Sequence, residues 1–328
     1  MSSRPKVYVT RRVPERIQSQ LEELFEVTQH DAEAPPPRSE LLAGASGQDG
    51  VVSMLSDVID DEFLEAAGEE LQVVANYAVG FDNVDVDACT RRGVIATNTP
   101  DVLTAATAEL AVTLMLNVAR RVGEGDRMLR ARTPWIWSPT YMRGATLRGR
   151  LLGVVGLGRI GREVARIAEA LGMRIVYTKA SGTASDVPWE FVSFEEIVER
   201  ADVISLHCPL TPETRHLVDA DVLRAMKRSA YLVNTSRGPV IDEAALAEAL
   251  ETGEIAGAAL DVFEREPEVH ERLLQCESVV LAPHLGSATH ETREAMGMLC
   301  VSALKAVLIE GRLPENALNR RITAKITH

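Results

Sequence analysis

Val154-Val155-Gly156-Leu157-Gly158-Arg159-Ile160-Gly161 is the stretch on which the reading of this chain turns. The G-x-G-x-x-G spacing alone says little. Its setting says more: the apolar run Leu151–Val155 leads into it, and the helical pattern REVARIAEALG follows. A strand, a glycine turn and a helix in that order form a phosphate-binding unit. Gly156 permits the tight turn, Gly158 lets backbone approach a pyrophosphate, and Gly161 lets the helix pack close to the strand. The helix N-terminus, with Leu157, Arg159 and Ile160 around it, offers free N–H groups and a positive dipole end.

Downstream, short apolar runs at Arg174–Thr178, Val203–Leu206, Tyr231–Asn234, Ala258–Asp261 and Val279–Leu281 alternate with helical patterns. That alternation predicts one doubly wound parallel sheet of about six strands. Upstream, KVYVT (Lys6–Thr10), DGVVSML (Asp49–Leu55) and LQVVAN (Leu71–Asn76) read as strands of a second parallel sheet, with a helix over Pro14–Phe25. The apolar stretch Asp101–Arg121 predicts a long helix suited to a spine between two domains, with Pro100 and Asp101 as its start signal. The Trp- and Arg-rich segment Arg130–Arg150 after it contains Trp135 and Trp137, two of the three tryptophans, and is expected to pack against something large.

A length of 328 residues suits two domains. The net charge of −13 argues against a nucleic-acid partner, which needs a basic face. No apolar run reaches membrane-spanning length, and the N-terminus lacks a signal-peptide core. The four cysteines, Cys89, Cys208, Cys276 and Cys300, are not at metal-ligand spacing and are too sparse for a disulfide framework. Reduced thiols, a cytoplasmic protein and no metal site are expected.

At the ends of three predicted strands stand Asn234-Thr235-Ser236-Arg237-Gly238, Asp261-Val262-Phe263-Glu264-Arg265-Glu266-Pro267 and Pro283-His284-Leu285-Gly286. Ligands bind at the carboxyl ends of strands in such sheets. Each residue has a bland reading: a surface arginine, a solvated acidic turn, a loop histidine. Together, behind a cofactor motif, they match reduction of a 2-keto acid. Arg237 would hold the carboxylate and polarise the carbonyl. His284 would supply the proton, and Glu266 would orient its ring. An NAD site usually has Asp or Glu about twenty residues beyond the glycines, to hold the ribose hydroxyls. Here Lys179 stands 18 residues past Gly161, with Ser181 nearby and no carboxylate before Asp186. That charge predicts NADP(H) over NAD(H), with NAD(H) also usable.

VVGLGRIG, NTSRG, DVFEREP and PHLGSATH resemble the signatures of the D-isomer-specific 2-hydroxyacid dehydrogenases, over nearly the whole chain. Within that family, VVSMLSD, VVANYAVGFDNVDVDACTRRGV, TNTPDVLTAATAELA and PHLGSATHETR look most like glyoxylate/hydroxypyruvate reductases. The resemblance implies two doubly wound parallel-sheet domains with a cleft between: a Rossmann-type dinucleotide-binding domain, 101–286, and a flavodoxin-like substrate-binding domain from 1–100 and 287–328. It implies Arg237, Glu266 and His284 as the catalytic set, and the backbone at Val79-Gly80, with Leu55 nearby, as the receptor of the substrate carboxylate. Thr107, Asp261 and Gly286 are expected around the nicotinamide end, Cys208-Pro209 along the cofactor, and Thr235 and Ser236 among the cofactor-binding residues. A homodimer through residues 120–150 is implied, with Trp137 or its neighbours reaching the partner's active site. No regulatory domain is expected beyond His328, unlike the longer phosphoglycerate dehydrogenases. Other readings are a reductase of another small 2-keto acid, such as 2-ketogluconate or phenylpyruvate, and a dinucleotide-sensing, corepressor-like binder.

Overall fold

The computed structural model describes residues 4–321. It divides into two compact units, Met1–Leu103 with Thr289–His328, and Thr104–Ala288.

The first unit alternates strand and helix: β1 (Lys6–Val9), α1 (Glu15–Leu24), β2 (Glu26–Gln29), α2 (Arg38–Ala45), β3 (Gly50–Ser53), α3 (Asp61–Ala67), β4 (Val73–Asn76), α4 (Val86–Arg92) and β5 (Ile95–Thr97). Its five strands pair in parallel in the order β2-β1-β3-β4-β5, the flavodoxin-like order. The central β3 and β4 are buried at every position, as continuous apolar runs in a doubly covered sheet must be. The helix His290–Leu308 returns to this unit and packs on β3, β4 and α1. Its Gly297 lies against Ile17, and the Tyr77 hydroxyl donates to the Arg293 carbonyl.

The second unit holds α5 (Thr104–Arg120), α6 (Val122–Arg130), β6 (Leu151–Val155), α7 (Arg159–Ala170), β7 (Arg174–Thr178), β8 (Glu190–Phe191), α8 (Phe194–Arg200), β9 (Val203–Leu206), α9 (Ala220–Ala225), β10 (Tyr231–Asn234), α10 (Glu243–Glu251), β11 (Gly257–Leu260), α11 (Glu271–Gln275) and β12 (Val279–Leu281). The helix at His290–Leu308 is thus α12. The parallel order is β12-β11-β10-β9-β6-β7-β8. The chain winds outward from β6 to one side, returns, and winds outward again from β9. The β6/β9 boundary is therefore the topological switch point.

Two expectations are corrected. The sheet has seven strands, not six, because the two-residue β8 pairs with β7 at one edge. The long helix starts at Thr104, since Asp101 has φ +71° and belongs to a turn closed by Val102 N–H to Pro100 C=O. The buried face of α5, Ala108, Ala111, Val112, Met115 and Val118, packs within the second unit on α7 and on β10 to β12. Trp135, Ile136 and Trp137 do not pack on their own chain; they are 59%, 78% and 77% exposed. None of the helices among the described residues is long and apolar enough to cross a membrane.

Candidate active site

Every residue singled out in the second unit except Thr107 lies at the carboxyl end of a parallel strand. Thr107 comes from the first turn of α5. The glycine loop follows β6, Lys179 follows β7, Cys208-Pro209 follows β9, Thr235–Arg237 follows β10, Asp261–Glu266 follows β11, and His284–Gly286 follows β12.

The loop after β6 is shaped by its glycines. Gly156 has φ +97°, and a Cβ there would lie 2.7 Å from the Cys208 nitrogen and the His207 carbonyl. No side chain fits, so the β6 and β9 loops touch through backbone. A Cβ on Gly161 would lie 2.2 Å from the Gly156 carbonyl oxygen, which explains the close helix. Gly158, the N-cap of α7, faces open space and no side chain caps the helix. Uncapped N–H groups behind an open glycine fit a pyrophosphate. Cys208 plays no thiolate part, because burial pushes its thiol up to about 11. Lys179 donates to the Ser185 hydroxyl at 2.8 Å, and Ser181 pairs with Thr183 at 3.2 Å, both on the loop beyond β7.

Toward the β12 edge of the sheet, Asp261 ties the end of β11 to the segment beyond β12. It is buried, and its carboxylate accepts from the N–H groups of Leu285 at 2.6 Å and Gly286 at 2.8 Å. Burial raises its pKa in spite of those two bonds. The Thr107 hydroxyl donates to the Gly286 carbonyl at 3.0 Å. Thr107, Asp261 and Gly286 are thus brought together. The Thr235 hydroxyl is buried and has no partner among the described residues. A buried orphan hydroxyl at the carboxyl end of β10 is a group that a bound ligand would complete.

His284 Nδ1 is 2.7 Å from Glu266 Oε2, and both side chains are about one-third exposed. Glu266 also accepts from the Phe263 N–H at 3.0 Å. Burial alone would raise its pKa, but the His284 bond and charge, the Phe263 N–H and the Arg237 charge outweigh it, leaving Glu266 below the usual carboxylate range. Imidazole and carboxylate are therefore in contact, and the Arg237 guanidinium acts on that carboxylate through its charge. His284 has φ +53°, an unusual conformation for a side chain other than glycine, held by its N–H to the Asp261 carbonyl at 2.9 Å. With Glu266 charged, the shared proton is assigned to Nδ1, which leaves Nε2 as the ring's second nitrogen to accept or donate.

Two residues of this constellation escaped the sequence reading. Asn234 holds the arginine loop: its side chain donates to the Arg237 carbonyl at 2.9 Å and accepts from Ser236 N–H and hydroxyl. An Asn closing an apolar strand before Ser-Arg-Gly is the signal for such an Asx turn. Gly238 lets that loop lie on the next one. A Cβ there would fall 1.9 Å from the Phe263 carbonyl carbon.

In the first unit, Leu55 follows β3 and Val79-Gly80 follows β4, again at carboxyl ends. No group of three or more His, Cys, Asp or Glu residues able to hold a metal is found among the described residues.

Residues 112–286 match the family model described as D-isomer specific 2-hydroxyacid dehydrogenase, NAD binding domain. The chain is 47% identical over 324 residues to a glyoxylate reductase of Korarchaeum cryptofilum, covering 97% of each chain. The TT0316 protein of Thermus thermophilus superposes with a TM-score of 0.90 at 44% identity, covering 95% of this chain and 99% of that one. The NADPH-dependent glyoxylate/hydroxypyruvate reductase of Sinorhizobium meliloti, solved with NADP and malonate, does so with a TM-score of 0.85 at 36% identity, covering 96% and 97%. The motif, the two sheet orders, the Glu266–His284 pair and these likenesses converge on one conclusion: the chain belongs to the D-isomer specific 2-hydroxyacid dehydrogenases.

Proposed function

We propose that this protein reduces glyoxylate, and with it hydroxypyruvate, to the 2-hydroxy acid, with NADP(H) preferred and NAD(H) accepted. The observation that carries the reading is the Glu266–His284 pair at 2.7 Å beside the Arg237 loop. The curated and structural relatives bearing glyoxylate and hydroxypyruvate reductase names support the substrate class.

The second unit serves as the dinucleotide-binding domain. Gly156 to Gly161 and the start of α7 would hold the pyrophosphate, with Cys208-Pro209 alongside. Lys179 and Ser181 would meet the adenosine ribose and its phosphate. Thr107, Thr235, Ser236, Asp261 and Gly286 would hold the nicotinamide end. When bound, the reduced nicotinamide supplies the hydride. The first unit serves as the substrate domain, where the Val79-Gly80 backbone and Leu55 receive the carboxylate.

The protein's own residues do the rest. Arg237 binds the 2-keto acid through charge-assisted bonds and withdraws electrons from its carbonyl. As charge grows on that oxygen, His284 Nε2 delivers a proton to it. Glu266 keeps the ring in place and balances the imidazolium. In the reverse direction His284 takes the proton from the hydroxyl. A cytoplasmic homodimer associating through residues 120–150 completes the reading.

A panel of small 2-keto acids with each reduced cofactor tests it. Loss of nicotinamide absorbance with glyoxylate and hydroxypyruvate, faster with NADPH, is expected. No consumption with any 2-keto acid would overturn it.

A further inference from the structure

The inference rests on the reading above, in which the turn after β4 receives the substrate carboxylate. Three successive carbonyls of that turn are tied down within the first unit. The Ala78 carbonyl accepts from the Thr99 N–H at 2.8 Å. The Val79 carbonyl accepts from Asn98 Nδ2 at 2.7 Å. The Gly80 carbonyl accepts from Asn76 Nδ2 at 3.0 Å. A trans peptide is planar, with its N–H antiparallel to its C=O. Fixing these carbonyls therefore fixes the N–H groups of Val79, Gly80 and Phe81, each directed away from the donor that holds its peptide. Among the described residues nothing accepts a hydrogen bond from any of the three.

The Asn76 carboxamide and the Asn98 backbone are themselves held. Asn76 is fully buried; its Oδ1 accepts from Ser53 Oγ at 3.1 Å, and it pairs with Asn83 at 3.2 Å. Asn83 Nδ2 also donates to the carbonyls of Met54 at 3.0 Å and Asp57 at 2.9 Å, which joins the loop carrying Leu55 to the same network. Asp57, buried, accepts from Met54 N–H at 2.7 Å and from Arg11 at 3.0 Å. Asn98 is buried, and its backbone carbonyl accepts from Asn316 Nδ2 at 2.6 Å. So much buried polar structure serves only to hold backbone. A row of N–H groups left without internal acceptors takes an anion through charge-assisted bonds.

We propose that Asn98 and Asn76 are positioning residues for the 2-keto acid: their carboxamides draw the turn's carbonyls inward and so present the N–H groups of residues 79–81 to the carboxylate. They touch neither substrate nor cofactor. They set how tightly the acid is held, and the proton and hydride steps stay with the second unit.

Asn98→Asp keeps the shape but replaces the donor with an acceptor facing the Val79 carbonyl. The expected result is a KM for glyoxylate raised about tenfold, the loss of roughly one hydrogen bond. The kcat and the KM for reduced cofactor should stay close to wild type. Asn98→Gln, which retains a donor, should restore part of the loss. Oxalate, a dicarboxylate that is not reduced, serves as the binding probe with oxidised cofactor present, and its affinity should weaken in parallel. In the unaltered protein, oxalate should slow hydrogen exchange at the amides of residues 79–81. A folded Asn98→Asp with unchanged KM for glyoxylate and unchanged oxalate affinity overturns the proposal. Exchange at 79–81 indifferent to oxalate overturns it too, even if Asn98→Asp fails to fold. Should the unaltered protein reduce no 2-keto acid, the functional reading fails, and the exchange result alone decides the positioning role.

Discussion

The proposed catalytic constellation includes a close contact between backbones. Gly238 follows Arg237 directly, and the carbonyl carbon of Phe263 and the nitrogen of Glu264 lie 1.9 Å and 2.4 Å from where its Cβ would stand. The loops bearing Arg237 and Glu266 can approach this closely only because no side chain intervenes. Backbone cannot swing aside as the tip of a long side chain can. Gly238→Ala should therefore separate the two loops by a fraction of an ångström or more and lower kcat/KM by about 10²-fold, the scale of a small misplacement of reacting groups. Circular dichroism should still report a folded chain. A Gly238→Ala enzyme with unaltered kcat/KM would show that the contact matters for packing alone. His284 presents the same logic at its own position. Its positive φ is held by the Asp261 carbonyl, so Asp261 orients the histidine backbone as Glu266 orients the ring.

Among the elements, the strands of the second sheet were legible because they are buried on both faces. Leu151–Val155, Arg174–Thr178, Val203–Leu206, Tyr231–Asn234 and Val279–Leu281 agree with the sequence reading to the residue. The strands that escaped it carry weak signals. β2 (EVTQ) is a half-exposed edge, β5 has three residues, and β8 has two. The start of α5 was misjudged because Pro-Asp closes a turn there instead of capping a helix. In the candidate site, the side chains proposed to act by charge stand out in the sequence, since Arg, Glu and His after successive strands point to one chemistry. Residues that act by holding backbone, Asn76, Asn98, Asn234 and Gly238, do not, because a polar group's bond to a carbonyl is a property of the fold. The β7 terminus makes a prediction of its own. Lys179, tied to Ser185 beyond the strand, is the cation that would meet a 2′-phosphate. Lys179→Asp should lower kcat/KM with NADPH and raise the relative use of NADH. The ratio of the two constants measures this, and an unmoved ratio would take Lys179 out of the cofactor site.

At the scale of the molecule, the chain builds most of one unit, completes the other, and returns to the first through α12. The exposed run Trp135-Ile136-Trp137 is the largest apolar feature its own chain leaves uncovered between α6 and β6. Burying each such side chain contributes about 1.5–3 kcal/mol, enough in combination to drive association. Light scattering at micromolar protein should give twice the chain's mass, and Trp137→Asp should shift it toward one chain. A monomer at that concentration would remove the arm as an interface.

The central claim, that His284 delivers the proton in reduction of a 2-keto acid, is tested most directly by following nicotinamide absorbance with glyoxylate for the unaltered protein and for His284→Ala side by side. The unaltered protein should consume one reduced cofactor per glyoxylate. His284→Ala should bind the cofactor normally yet lose about 10²- to 10⁴-fold in kcat. Full kcat in His284→Ala would contradict the account.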